Sequence, residues 1–334
     1  MSKQVDIRAL HPMRALSRAV AFACLACLIA TTGMLAGCSD SGEASARGSD
    51  NTADAAGTTG GPAFERPASL ATSPFSGASL EGSAEAGIDV SSVSRGYVGA
   101  VGTNSKRLKF RVTKDDRDYT YDLPNDGTPI ACPLTLGNGT YSFTIYQNTH
   151  DDSYVPLEPR DVTVDVALDS EFEPFIRPNV YCDYNESSAC VQKADELSRD
   201  AENQGDVLRA IYTWISENIA YDKEKADALA DAKGYVPDPD ETLKSGKGIC
   251  FDYASLAAAM LRSQGIPTKI ITGYVSPDNI YHAWNMVYLD GTWVSERVSV
   301  KADSWERIDI TLVSLDGEAQ YVGDGVSYTD LLTY

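Results

Sequence analysis

The stretch SGKGICFDYASLAAAML, residues 245–261, places a single cysteine, Cys250, between a glycine-rich turn and an apolar run. Cys250, Tyr253, Ala254, Ala257, Met260 and Leu261 recur at three- and four-residue steps, the period of a helix with one packed face. Gly265, Ile266 and Pro267 follow, and glycine then proline end a helix. The spacing therefore predicts a helix that starts at the cysteine. A thiol there sits near the positive pole of the helix dipole, which favours thiolate. The first-turn N–H groups lack intrahelical acceptors and can hold an oxyanion. Gly246 and Gly248 are expected to let backbone approach a substrate, and the dipole accounts for Asp252.

Working outward, KADELSRDAENQGDVLRAIYTWISENIAYD (193–222) carries Val207, Leu208, Ile211, Ile215 and Ile219 at helical spacing. Downstream, TKIITGYV, IYHAWNMVYLD and WERIDITL have the pattern of strands, and Asp290-Gly291 is a hairpin signal. A thiol near a helix start needs a base. His282 lies on the same strand face as Trp284, Met286 and Tyr288, and it is the only histidine after residue 181. Helices that pack on later strands make an α+β arrangement over residues 181–334.

GxCxDYA, a helix ending GIP, a strand ending GY, and HAWN.VYLDGTW followed by W...D.T together resemble the transglutaminase-like superfamily, whose core is similar to papain-type thiol proteases. The resemblance spans roughly residues 190–315. It implies Cys250 as nucleophile and His282 as the general base that takes its proton and later returns one to the leaving group. It also implies an acid four positions after the tryptophan that follows the histidine strand. Four after Trp293 is Arg297, which cannot accept a hydrogen bond from imidazole. Four after Trp305 is Asp309, followed two on by Thr311, so residues 294–304 are read as an insertion or lengthened hairpin. On a strand Trp305, Arg307, Asp309 and Thr311 share a face, so Asp309 can point toward His282 if the strands pair. Glu296 is the next candidate.

Ahead of this domain, residues 87–180 alternate at period two. Leu108, Phe110 and Val112, then Tyr141, Phe143 and Ile145, then Val162, Val164 and Val166 fall on single faces, separated by turn signals such as NDG and GNG. A small all-β sandwich-like domain is expected, without a catalytic constellation. Residues 38–86 are rich in Ser, Gly, Ala, Thr and Asp and read as a flexible tether. Residues 1–37 read as a signal peptide, with arginines before the apolar run AVAFACLACLIATTGMLAG. Leu35, Ala36, Gly37 and Cys38 resemble the lipobox of bacterial lipoproteins, which implies lipidation of Cys38 and an extracytoplasmic protein anchored to the cell membrane. The other reading is an uncleaved anchor helix.

Four cysteines remain in the body. Cys182 and Cys190 flank DYNESSA and could form a local disulfide or stay reduced, while Cys132 reads as a small buried hydrophobe. With His150 and His282 alone after the signal and no CxxC pair, neither a metal nor a cofactor is expected. Residues 1–37 carry a net +3, and its removal from −20 leaves −23, which argues against nucleic acid as a partner. The expected chemistry is acyl transfer on a peptide or protein amide through a Cys250 thioester, with cell-envelope material as the substrate that a tethered enzyme meets first. Water resolves the thioester to hydrolysis and an amine to a cross-link. The alternative is a non-catalytic surface binding module on the same scaffold.

Overall fold

The computed structural model describes residues 57–334, apart from 84, 158–160, 231, 233, 296 and 315–318, together with the backbone of residues 5–6. The signal-peptide reading, Cys38 and Glu296 therefore lie outside the described residues.

After a short strand β1 (Thr58–Gly60), alternating segments build two antiparallel sheets. One orders β2 (Leu80–Gly82), β3 (Ala86–Asp89), β4 (Tyr97–Gly102) and β7 (Ile130–Pro133). The other runs β9 (Ser153–Pro156), β8 (Gly139–His150), β5 (Leu108–Lys114) and β6 (Arg117–Leu123), with β10 (Val162–Val166) also on β8. The backbone of Val5–Asp6 lies against β9. Phe110 opposes Ile145 and Val112 opposes Phe143, so the apolar members of the period-two pattern meet on one face. These side chains are buried together with Ile88, Val98 and Cys132 of the other sheet. The same core continues into the C-terminal half, where Tyr119 and Tyr121 of β6 meet the rings of Tyr181 and Tyr334.

The C-terminal half begins with α1 (Ala189–Leu197) and α2 (Gln204–Asn218). The Asn203 side chain caps α2 by accepting from the Asp206 N–H at 3.1 Å. β11 (Ala220–Tyr221), α3 (Lys223–Leu229), α4 (Pro239–Ser245) and β12 (Lys247–Gly248) lead to α5 (Cys250–Ser263). A four-stranded antiparallel sheet follows: β13 (Thr268–Val275) and β14 (Ile280–Tyr288) at its centre, β17 (Trp305–Ile308) and β18 (Tyr328–Thr333) at its edges. Helix α5 packs between α1, α2 and α4 on one side and β13 and β14 on the other, so every side chain from Asp252 to Ser263 is buried. The sequence predicts only one packed stripe; Ala254, Ala257, Ala258 and Ala259 allow close approach on all sides. At its end the buried Arg262 guanidinium donates to the carbonyls of Thr268, Arg177 and Tyr334 at 2.9–3.0 Å, which satisfies a charge that would otherwise be costly to bury.

Two expectations change. Asp290-Gly291 does not close a hairpin on β14: the chain leaves the sheet, and β15 (Thr292–Val294) pairs with β16 (Ser299–Val300) and with β1. A Cβ on Gly291 would stand 2.5 Å from the Gly60 carbonyl oxygen, so this crossing of two backbones needs glycine. Trp293 fixes the excursion, fully buried with its ring 5.1 Å from that of Tyr212.

Second, residues 57–82, expected within the flexible tether, lie along the body. Phe64 N–H donates to Glu202 O at 2.8 Å and Arg177 to Thr72 O at 2.7 Å, while Phe64 and Leu70 pack against the main core. A segment too polar to build a core of its own can still borrow one. Of the two readings left open for Cys182 and Cys190, a local disulfide or reduced thiols, the structure has the second: both are free. The Cys182 thiol faces the Ser255 carbonyl at 3.6 Å, whereas Cys190 sits in the first turn of α1, where Asp240 accepts its N–H at 2.8 Å. Each is buried beneath a different partner.

Candidate active site

Cys250 occupies the first position of α5. Its N-cap, Ile249, cannot cap with its side chain; instead the Asp252 carboxylate reaches back and accepts the Ile249 N–H at 2.8 Å. β11 and β12 pair in parallel, Tyr221 opposite Gly248, which ties the end of α2 to the residues just before the cysteine. A Cβ on Gly248 would lie 2.6 Å from Asp252 Cβ. The expectation that Gly248 makes room for a substrate is thereby corrected: the room is taken by Asp252. Gly246, at φ +65°, ends α4 in the left-handed conformation.

Asp252 itself does more than complement a dipole. It is fully buried, its Oδ2 lies 2.6 Å from Lys225 Nζ of α3, and its Oδ1 accepts from the Tyr235 hydroxyl. One carboxylate thus fastens the segment from α3 to Tyr235 to the start of the cysteine helix.

His282 comes from β14, opposite Gly273 of β13. Asn285, three residues on and buried, donates to the carbonyl of Ala254 in α5 at 2.9 Å and to that of Lys269 in β13 at 3.1 Å. That clamp sets the spacing between the cysteine helix and the histidine strand. The sequence signal for it is the asparagine of HAWN, which motif reading passed over.

Asp309 does not lie within a strand. β17 ends at Ile308 and a short helix, α6 (Ile310–Ser314), begins two residues later, with Asp309 alone between them. Asn285 opposes Ile308, so a continued antiparallel strand would place Thr311 opposite His282. The turn at Asp309 brings the carboxylate there instead: His282 Nε2 stands 2.8 Å from Asp309 Oδ2. His282 is fully buried and the Asp309 side chain is 6% exposed. Burial opposes charge on the imidazole, but the Asp309 carboxylate and Cys250 outweigh it and push His282 up to about 10. Nε2–H is then the donor to Asp309. Nδ1 is the ring nitrogen left for the interaction with Cys250, and no other protein group partners it. The structure therefore brings Cys250, His282 and Asp309 together, across the segment 294–304 that separates Trp293 from Trp305.

One residue at this centre carries no motif signal. Tyr328, on β18, donates its hydroxyl to the same Asp309 Oδ2 at 2.9 Å. Its ring packs edge-on against Trp284 at 4.8 Å and beneath the Arg307 guanidinium at 4.0 Å.

Cys250 and His282 open onto a cleft of about 410 Å³, walled by Tyr181, Tyr221, Tyr235, Tyr281 and Tyr321 and, from β6 of the sandwich, by Asp118, Thr120 and Asp122. The sandwich thus supplies one side of the cleft. Cys250 is half-buried, whereas Cys132, Cys182 and Cys190 are buried and burial pushes their thiols up, Cys182 to about 11. Among the described residues, no group of three or more His, Cys, Asp or Glu is placed to hold a metal ion, and no helix is long and apolar enough to cross a membrane.

Comparison with known proteins gives one family: residues 191–296 match the transglutaminase-like superfamily. Kyphoscoliosis peptidase of Mus musculus is 32% identical over 108 residues, 29% of this chain and 16% of that protein. A UPF0252 protein of Archaeoglobus fulgidus is 30% identical over 101 residues, 26% of this chain and 32% of that protein. The chain thus spans less than a third of the length of either relative. Red sea bream transglutaminase is 13% identical with a TM-score of 0.30, covering 66% of this chain and 48% of that one. The C-terminal half of this mixed α and β protein therefore carries a transglutaminase-like domain at residues 191–296.

Proposed function

We propose that the protein is a thiol acyl-transfer enzyme acting on peptide or protein amides, held at the outer face of a cell membrane by a lipid on Cys38. The observation that carries the reading is the 2.8 Å contact between His282 Nε2 and Asp309 Oδ2, which leaves Nδ1 for a thiol at a helix N-terminus. Cys250 Sγ attacks the amide carbonyl carbon, and the N–H groups of the first turn of α5 meet the oxyanion. The proton on His282 passes to the departing nitrogen, the C–N bond breaks, and a thioester remains. His282, neutral again, takes a proton from the incoming water or amine, whose attack releases the thiolate. Asp309 holds the imidazole in the tautomer that presents Nδ1 to sulfur and stabilises the imidazolium.

The test is the pH dependence of Cys250 alkylation by neutral iodoacetamide, located by peptide mass spectrometry. Reactivity is expected to persist well below the free-thiol value of about 8.5, and to retreat toward it in His282→Ala. A thiol titrating near 8.5 in both proteins overturns the reading. Ammonia release from glutamine-containing peptides, with and without an added amine, then tells whether water or amine resolves the thioester.

A further inference from the structure

We infer that Tyr328 is a positioning residue that tempers the His282–Asp309 pair, sharing Asp309 Oδ2 with the imidazolium so that His282 can release its proton to the leaving group. The inference rests on the acyl-transfer reading and goes beyond it, since it concerns what makes the imidazolium a usable acid.

The geometry is specific. Asp309 Oδ2 takes His282 Nε2 at 2.8 Å and the Tyr328 hydroxyl at 2.9 Å, while Oδ1 is buried without a partner. Both donors therefore draw on one oxygen. A carboxylate paired in a dry site with imidazolium alone would hold that proton tightly, and a good thiolate stabiliser would be a poor acid. The second donor takes part of the carboxylate's charge. It donates across the working pH range, because burial and Asp309 push the Tyr328 hydroxyl far above its ordinary value.

The other groups facing the pair are few. Cys250 approaches from α5, Arg307 comes from β17, which ends just before Asp309, and Asp324 lies ahead of β18. Tyr321, on a short helix (Ala319–Val322) packed near β14, lines the cleft with His282. Of these, Arg307 stacks on the Tyr328 ring and Asp324 is held by Ser276. Tyr328 is the one that donates to the carboxylate.

Tyr328→Phe removes the hydroxyl and keeps the ring between Trp284 and Arg307. A freer carboxylate then holds imidazolium more strongly, so the thiolate–imidazolium pair forms at lower pH. The acid limb of Cys250 alkylation is expected to move down by about 0.5–1 pH unit while amide turnover falls roughly tenfold. A merely structural role lowers both together or neither. An acid limb that stays in place or moves up overturns the inference. A wild-type profile that titrates near 8.5 and ignores His282→Ala instead defeats the acyl-transfer reading, so the two failures are distinguishable. If Tyr328→Phe folds poorly, Tyr328→Leu, which also lacks a donor, with histidine NMR reports the same thing: the His282 titration is expected to rise, and no change or a fall overturns the inference.

Discussion

Replacing Asp309 by asparagine tests the charge relation at the centre of the site. The carboxamide keeps the shape and an acceptor oxygen but removes the negative charge beside a fully buried imidazole. The rise of His282 from 6.5 to about 10 corresponds to about 5 kcal/mol at 1.36 kcal/mol per pH unit, the net by which the Asp309 carboxylate and Cys250 together outweigh burial. The folded-state value lies above the unfolded one. This stabilisation is therefore complete below pH 6.5 and is lost as pH rises through about 10. In Asp309→Asn the larger effect of burial is expected to prevail over Cys250, leaving His282 neutral at pH 7. Urea denaturation of both proteins at pH 6 and pH 10 isolates the effect, since the buried tyrosines away from Asp309 are pushed up by burial alike in both proteins. Wild type is expected to lose several kcal/mol more than the variant between the two pH values. Amide turnover at neutral pH is expected to fall by about 10³–10⁴-fold, as for the corresponding change in serine-protease triads. An identical pH dependence of stability in the two proteins refutes the assignment of Asp309 as the counter-charge of His282.

Asp252→Ala should free the Ile249 N–H and leave Lys225 and Tyr235 without their acceptor. Because Lys225 is 31% exposed, the cost is about 2–3 kcal/mol rather than that of a fully buried pair, read from the urea midpoint; an unchanged midpoint would mean the clamp is idle. Limited proteolysis of the same variant should cut first between α3 and Tyr235. Gly273→Ala places a Cβ 2.1 Å from the Thr329 carbonyl oxygen and 2.8 Å from Trp284, so β18 must shift. A loss of about 2–3 kcal/mol is expected together with altered tryptophan fluorescence, and a variant as stable as wild type would show that β18 is not held as described.

The sequence was most informative where local chemistry and spacing act alone. The helix start at Cys250 follows from glycine, apolar period and the Gly265-Ile266-Pro267 stop, and β13 and β14 follow from alternation. The sandwich strands are legible for the same reason: a pleated face repeats every two residues. Asp309 was reachable by counting from a tryptophan, but not the conformation that delivers it, because a strand-like WERIDIT gives no sign that the ladder stops at Ile308.

What lay beyond the sequence depends on partners distant along the chain. Tyr328 lies 19 residues past Asp309 on a strand with no motif, and only the pairing of β18 with β13 sets its hydroxyl on Oδ2. Residues 58–60 look like tether until Thr292–Val294, over 230 residues later, offers them a ladder. Asp118 and Asp122 look like sandwich surface until the two halves share a core and turn them onto the cleft. Local sequence points to Cys250 and His282 as the proposed nucleophile and base, because helix dipoles and side-chain periods are short-range. Which oxygen they share, and what walls surround them, is decided by tertiary packing, because those contacts exist only once the sheet edges have found their neighbours.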